Sequence, residues 1–236
     1  MSKEADVPGI GTVIFTKRRA SRHVRLRVGH DNKAHVSLPL WLSYKEALKF
    51  VLSKRDWINK QQSSRKSDTP LSGQRLGKTH NLILIPTNED KIKTRVVGNE
   101  ARIYYPANIN LESAQFQTIV QRLIAKVLRI QSQRLLPQRL EQLAQSHGFE
   151  YQAVKISKMR SRWGSCNSEK LITLNCYLIQ LPWELIDYVL IHELVHTKVM
   201  SHNDDFWGLF ISVLPDAKDR RKKIKHYHPY ILPVAA

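Results

Sequence analysis

The run His192-Glu193-Leu194-Val195-His196 constrains this chain more than any other stretch. On a helix, residues four apart lie on one face, a single turn from each other. His192 and His196 would then point the same way and could grip one metal ion. Glu193 would stand beside the first ligand, where a carboxylate can take a proton from metal-bound water. This is the H-E-x-x-H helix of zinc hydrolases. Five residues can arise by chance, so the flanking sequence has to support the reading. A third histidine, His202, follows at a distance from which a ligand can reach back. The expectation is a zinc-dependent hydrolase with one Zn2+ held by His192, His196 and His202, and with Glu193 as the catalytic base. Three histidines satisfied by ordinary hydrogen bonds are the alternative.

The flanks favour the metal. Pro182 can open a helix, because its fixed φ suits the first turn, where an N–H would be unpaired anyway. Glu184 and Asp187 would sit near the positive end of the helix dipole. Leu185, Ile186, Val189, Leu190, Leu194 and Val195 give a broad apolar surface, as in a buried helix. Histidines and a glutamate in such a helix are costly to bury without partners, and a metal supplies one. Past His196, Asn203 can cap a further helix whose first turn holds Asp204 and Asp205. Those aspartates are rival oxygen ligands, but a first helical turn already accounts for them, so His202 is preferred.

Elsewhere the pattern is mixed α+β. Val13 to Phe15, the alternating run Val24 to Val28, and Ala34 to Leu38 read as strands, with a turn at residues 30–33. Arg25 and Arg27 face the opposite way from Val24, Leu26 and Val28. Together with Arg18, Arg19 and Arg22 they make a basic face that could meet phosphate, RNA, an acidic peptide or only solvent. Ser43 and Glu46 have capping-box spacing and open one helix reaching about Gln61, with Ala47, Phe50, Val51, Trp57 and Ile58 inward. Short strands follow near residues 81–85, 93–97 and 101–105. From Leu111 the period turns helical, with Pro137 expected to break or kink the helix and Gly148 to cap its end. Val154 to Met159 and Leu171 to Leu178 read as strands flanking Arg162-Trp163-Gly164-Ser165-Cys166 and a polar turn, a hairpin that leads into the metal helix. Trp163 and Gly164 read as structural. The expected organisation is a basic β-rich region with one helix over residues 1–107, followed by a hydrolase half over residues 108–236.

Net charge is +18, and residues 1–100 carry +11 of it, from 20 Lys and Arg against 9 Asp and Glu. Such a field favours polyanions, so nucleic acid is a possible partner. The two cysteines, Cys166 and Cys176, form neither a disulfide framework nor a paired metal motif. Free thiols, a polar N-terminus and the lack of a long apolar stretch lead to the expectation of a cytoplasmic protein with no membrane segment.

Arg162-Trp163-Gly164-Ser165-Cys166, Leu181-Pro182, the His192–His196 motif, His202 and Phe206-Trp207 together resemble the YgjP-like metallopeptidase family, and more distantly the SprT and WLM zinc peptidases. The resemblance implies a zincin-like catalytic half, His192, His196 and His202 as ligands, and Glu193 as base. It implies a peptide or protein substrate; a nucleotide substrate is the alternative, because hydrolysis of UTP is ascribed to members of this family. The basic N-terminal residues, among them Arg25 and Arg27, would then hold phosphates. The distant likeness also allows a nucleic-acid-associated zinc protease. The histidine spacing equals that of metzincins, but Val199 stands where they have glycine and no methionine follows His202. Arg160 and Arg162 alternate toward one face and could meet substrate. For the oxyanion, Arg160, Arg162, Tyr177, His226, Tyr227 and His228 are all open candidates.

Overall fold

The computed structural model describes residues 2–19, 21–29, 33–66, 72–159 and 161–227. The chain divides into two compact units, Met1–Thr69 and Pro70–Ala236.

The first unit is a four-stranded sheet with two helices. Strands β1 (Ser2–Val7), β2 (Gly11–Lys17), β3 (Arg25–Val28) and β4 (Ala34–Leu38) lie in the order β1-β2-β4-β3. β2 and β4 are parallel, and the outer pairs are antiparallel. β3 and β4 pair antiparallel as expected, while residues 30–32 of the expected turn lie outside the described residues. Val13, Phe15, Ala34, Val36 and Leu38 alternate into the core, where Ala47, Val51 and Ile58 meet them. Helix α1 (Tyr44–Ser53) starts with the expected capping box: Glu46 N–H donates to Ser43 Oγ at 3.2 Å, and Ser43 N–H donates to Glu46 Oε2 at 3.1 Å. One helix to Gln61 was the expectation. Instead α1 ends at Ser53 with Lys54 as its cap, and α2 (Arg55–Lys66) begins at once. Trp57 is not inward but 45% exposed. Ile58 takes the core position, and its neighbour is turned about 100° away around the helix.

The second unit holds the rest. Strands β5 (Arg75–Leu76), β6 (His80–Thr87), β7 (Lys93–Val97) and β8 (Glu100–Pro106) form a sheet ordered β5-β6-β8-β7. Helix α3 (Ala114–His147) follows, then β9 (Ala153–Ser157), β10 (Gly164–Cys166) and β11 (Leu171–Asn175) in a sheet ordered β10-β11-β9. A 3₁₀ turn (Cys176–Gln180) leads to α4 (Trp183–His196), α5 (Asp204–Val213) and α6 (Ala217–Ile224). The boundary is therefore not at residues 107/108. Leu76, Leu82, Ala101 and Ile103 of the 75–106 sheet share one apolar core with Phe116, Val120 and Leu128 of α3 and with Leu190 and Leu194 of α4. A sheet that buries one face against α3 belongs with α3.

α3 also runs through Pro137 rather than ending there. Leu136 and Leu140, on either side of the proline, are fully buried, and that packing holds the helix across the lost hydrogen bond. Gly148, at φ 64°, caps the end as expected, its N–H bonding Ala144 O. Asp187 does not simply sit at the dipole of α4. Its carboxylate takes two bonds from the Arg139 guanidinium, at 2.8 and 2.7 Å, which fastens α4 to α3. Arg220 of α6 bonds Glu184 O at 2.8 Å and ties down the first turn of α4. No helix among the described residues is long and apolar enough to cross a membrane.

Candidate metal centre

α4 is buried on almost every side, and its C-terminal end carries the motif. The helix closes at His196, and the chain then turns through Thr197, whose Oγ1 donates to Leu194 O at 2.7 Å. Asn203 caps α5 by accepting from Phe206 N–H at 3.1 Å. That corner returns His202 to the face of α4. His202 Nε2 lies 3.1 Å from His192 Nε2, and His196 Nε2 lies 3.2 Å from it on the other side. Among the described residues these three form the group able to hold a metal ion, with ligand atoms all within 4.8 Å of one another. Neither Asp204 nor Asp205 joins it.

The geometry fits a metal better than a hydrogen-bonded cluster. The His196 Nδ1–H faces Val199 O at 3.1 Å, a bond that leaves the Nε2 lone pair pointing inward. Two neutral imidazoles can share one proton, but three converging ring nitrogens leave lone pairs opposed. Two nitrogens bound to a tetrahedral zinc stand about 3.3 Å apart, close to the observed separations. Burial and the two neighbouring imidazoles push His192 down to about 3, so it stays a neutral donor. Phe206 forms a floor under all three rings, with centroids 5.0, 4.7 and 4.6 Å from His192, His196 and His202.

Glu193 points from α4 toward β10. It is 4% exposed, and its Oε2 has no hydrogen-bond partner among the described residues. Burial pushes its carboxyl up to about 8, against a downward pull from the Arg162 guanidinium. Cys166 is a free thiol pushed up to about 11 by burial and by the nearby Glu193 carboxylate. A desolvated carboxyl with a raised pKa beside a cluster of potential metal donors marks this as a candidate functional site.

Two residues that set this geometry escaped the sequence reading. The first is Gly164, whose role there was only turn geometry. A Cβ on it would stand 2.5 Å from Glu193 Oε1 and 2.8 Å from Cγ and Cδ. Glycine is needed because Glu193 packs onto its backbone. We expect Gly164→Ala to lower turnover about 10- to 100-fold through displacement of the carboxylate. Metal content by elemental analysis should be unchanged; equal loss of metal would show a general collapse of the site instead. The second is Asn175, which is fully buried. Its Nδ2 donates to Met159 O at 2.9 Å and Arg162 O at 3.0 Å, pinning the segment that carries Arg162. An asparagine inside the apolar run Leu174 to Ile179 was the available signal.

Of the other candidates, Arg162 is exposed, with its charge felt at Glu193. Arg160 and His228 lie outside the described residues. Tyr177 is buried, with Lys158 over its ring, and Tyr227 packs against the apolar core. Arg25 and Arg27 belong to the other unit, exposed on β3. Arg221 of α6, not among the candidates, lies over the Trp207 ring at 4.7 Å, and its charge reaches His192.

Residues 22–227 match the family described as YgjP-like, metallopeptidase domain. Among solved structures, the metallopeptidase zymogen of Pyrococcus abyssi abylysin is similar at 26% identity, over 39% of this chain and 93% of that one, with a TM-score of 0.36. The metallopeptidase zymogen of Methanocaldococcus jannaschii jannalysin is similar at 22% identity, over 39% and 94% of the two chains, with a TM-score of 0.35. A search of curated proteins gave no match.

Proposed function

The chain belongs to the YgjP-like metallopeptidase family, and on that premise we propose that it is a zinc-dependent peptidase with Glu193 as general base. The observation that carries this reading is the convergence of the His192, His196 and His202 ring nitrogens beside a buried carboxyl whose Oε2 has no hydrogen-bond partner among the described residues. Three neutral donors leave a tetrahedral ion one open position, as catalytic rather than structural zinc sites do. A zinc ion held there would acidify a water towards a pKa of about 7 and polarise the scissile carbonyl.

The protein's own groups then have distinct tasks. Glu193 accepts a proton from the attacking water and returns it to the departing amine. Gly164 keeps that carboxylate in place by leaving it room. β10 is an edge strand, with β11 on one side only. Its free edge suits an extended peptide that adds as a further strand beside the metal helix. Arg162, held by Asn175, could meet a substrate carbonyl or carboxylate. The two free cysteines suit a reducing compartment, in keeping with a cytoplasmic peptidase.

The test is to offer unfolded casein and, separately, UTP to zinc-loaded protein and to protein stripped by a chelator. Casein cleavage that disappears on stripping and returns with zinc is the expected result. Cleavage of UTP but not casein, with the same metal dependence, would replace the peptidase reading by phosphoanhydride hydrolysis.

A further inference from the structure

The residues assigned to the metal centre all belong to the second unit, and the proposed peptidase reading assigns no task to the first unit's basic residues. Residues 1–69 carry 15 Lys and Arg against 6 Asp and Glu, a net +9. The sheet topology gathers much of this charge at one place. β2 ends at Lys17, which is in register with Leu38 at the end of the parallel β4. β3 begins at Arg25, opposite Ser37. Three strand ends therefore coincide, and the loop from β2 to β3 adds Arg18, Arg19 and Arg22. Among its described residues, Arg18 N–H bonds Leu38 O at 3.0 Å, and Ser21 N–H bonds Arg18 O at 3.2 Å. Arg18, Arg19, Arg22, Arg25 and Arg27 are all exposed, and among the described residues none of them is in an ion pair.

An aromatic side chain stands at the same end of the sheet. Just past β4, Trp41 is 76% exposed, and its neighbour Leu40 is 50% exposed. Their turn is closed by Leu42 N–H to Pro39 O at 3.3 Å. It is fastened to β2 by Lys17, whose Nζ donates to Leu40 O at 2.9 Å and lies 5.1 Å from the Tyr44 ring centroid. Of the acids in this unit, Asp56 lies on α2. Glu46 is closed in the capping box, and Glu4 and Asp6 lie on β1, the opposite edge of the sheet.

We propose that this sheet end binds single-stranded nucleic acid, with Trp41 stacking on a base and Arg18, Arg19, Arg22 and Arg25 holding the phosphates. The guanidinium fork matches phosphate oxygens, and an exposed indole face takes any base that is not already stacked in a duplex. An anionic bilayer would also attract the arginines, but it rewards a larger inserted apolar area than Leu40 and Trp41 supply.

Fluorescence anisotropy of the full chain with a labelled oligouridylate of about 20 nucleotides, measured over a range of salt, tests this. Trp41→Ala should weaken binding about 5- to 100-fold with little change in the salt slope. Arg18→Ser/Arg19→Ser/Arg25→Ser should weaken it and reduce the log–log salt slope by about 2, at roughly 0.7 per lost phosphate contact. A matched triple, Arg122→Ser/Arg129→Ser/Arg134→Ser on exposed positions of α3, should bind much as the unaltered chain does. Circular dichroism confirms that each variant is folded. Four results would overturn the proposal: no effect of Trp41→Ala, equal loss in the α3 triple, equal affinity for a duplex of the same length, or binding to phosphatidylserine–phosphatidylcholine vesicles without binding to the oligonucleotide.

Discussion

Glu193→Gln is expected to lower peptidase turnover about 10²- to 10⁴-fold while zinc content stays at the unaltered level. The substitution is nearly isosteric, and the site has little room for anything else: the Glu193 side chain lies against the Gly164 backbone. No hydrogen bond of Oε2 is lost, because it has none among the described residues. What the amide cannot do is take up a proton. In the proposed site the ligand atoms come from three histidines, so the metal should bind as before. Initial rates on unfolded casein, with zinc measured on the same samples, separate the outcomes. Unchanged turnover would remove Glu193 from the mechanism. Loss of zinc in step with activity would make the carboxylate a ligand or a support for one. The contrast with Gly164→Ala is informative. There the base keeps its chemistry and loses only its position, so the loss of rate should be the smaller of the two.

The same contact explains why the sequence exposed part of this site and concealed the rest. The convergence of the three histidines was legible because a helix fixes the relation between residues 192 and 196, and because Asn203 and the acids after it announce a second helix. The capping box at Ser43 and the αL cap at Gly148 were legible for a like reason: each is a local device whose residues are neighbours in the chain. Contacts between distant segments were not. Gly164 needs to be glycine because of a side chain 29 positions away, and nothing in its own neighbourhood states this. Asn175 reads as an ordinary polar residue until the segment it pins is seen folded over it. β1 was missed because only Val7 of its six residues is buried; an edge strand held mainly by backbone bonds has no hydrophobic period to detect. The domain boundary was misplaced because the change from strand to helix near residue 107 was read as a change of unit. Whether a sheet belongs to the helix after it depends on where its apolar face is buried, and Leu82 and Ile103 bury theirs against α3.

His192→Ala is expected to abolish both metal retention and activity, and it should do so more completely than His202→Ala. His192 is central to the cluster: its Nε2 lies within 3.2 Å of both other ring nitrogens, whereas His202 is exposed at the rim. Removing the rim ligand leaves two donors one helical turn apart on α4. Removing the central one leaves His196 and His202 on different elements, with a gap beside Phe206 and Phe210 where the half-buried ring stood. Metal that binds only the folded state stabilises it, by about 4 kcal/mol when free zinc is a thousand times its Kd. For a unit of this size that corresponds to a rise in Tm of roughly 8–16 °C. The unaltered chain should show such a rise when zinc is added back after chelation, and His192→Ala should show none. Comparing the two proteins in their metal-free forms isolates the second effect, the cavity, as a lower Tm in the variant alone. A variant that still gained stability from zinc would place the ion elsewhere than among these three histidines, and the catalytic assignment of Glu193 would fall with it.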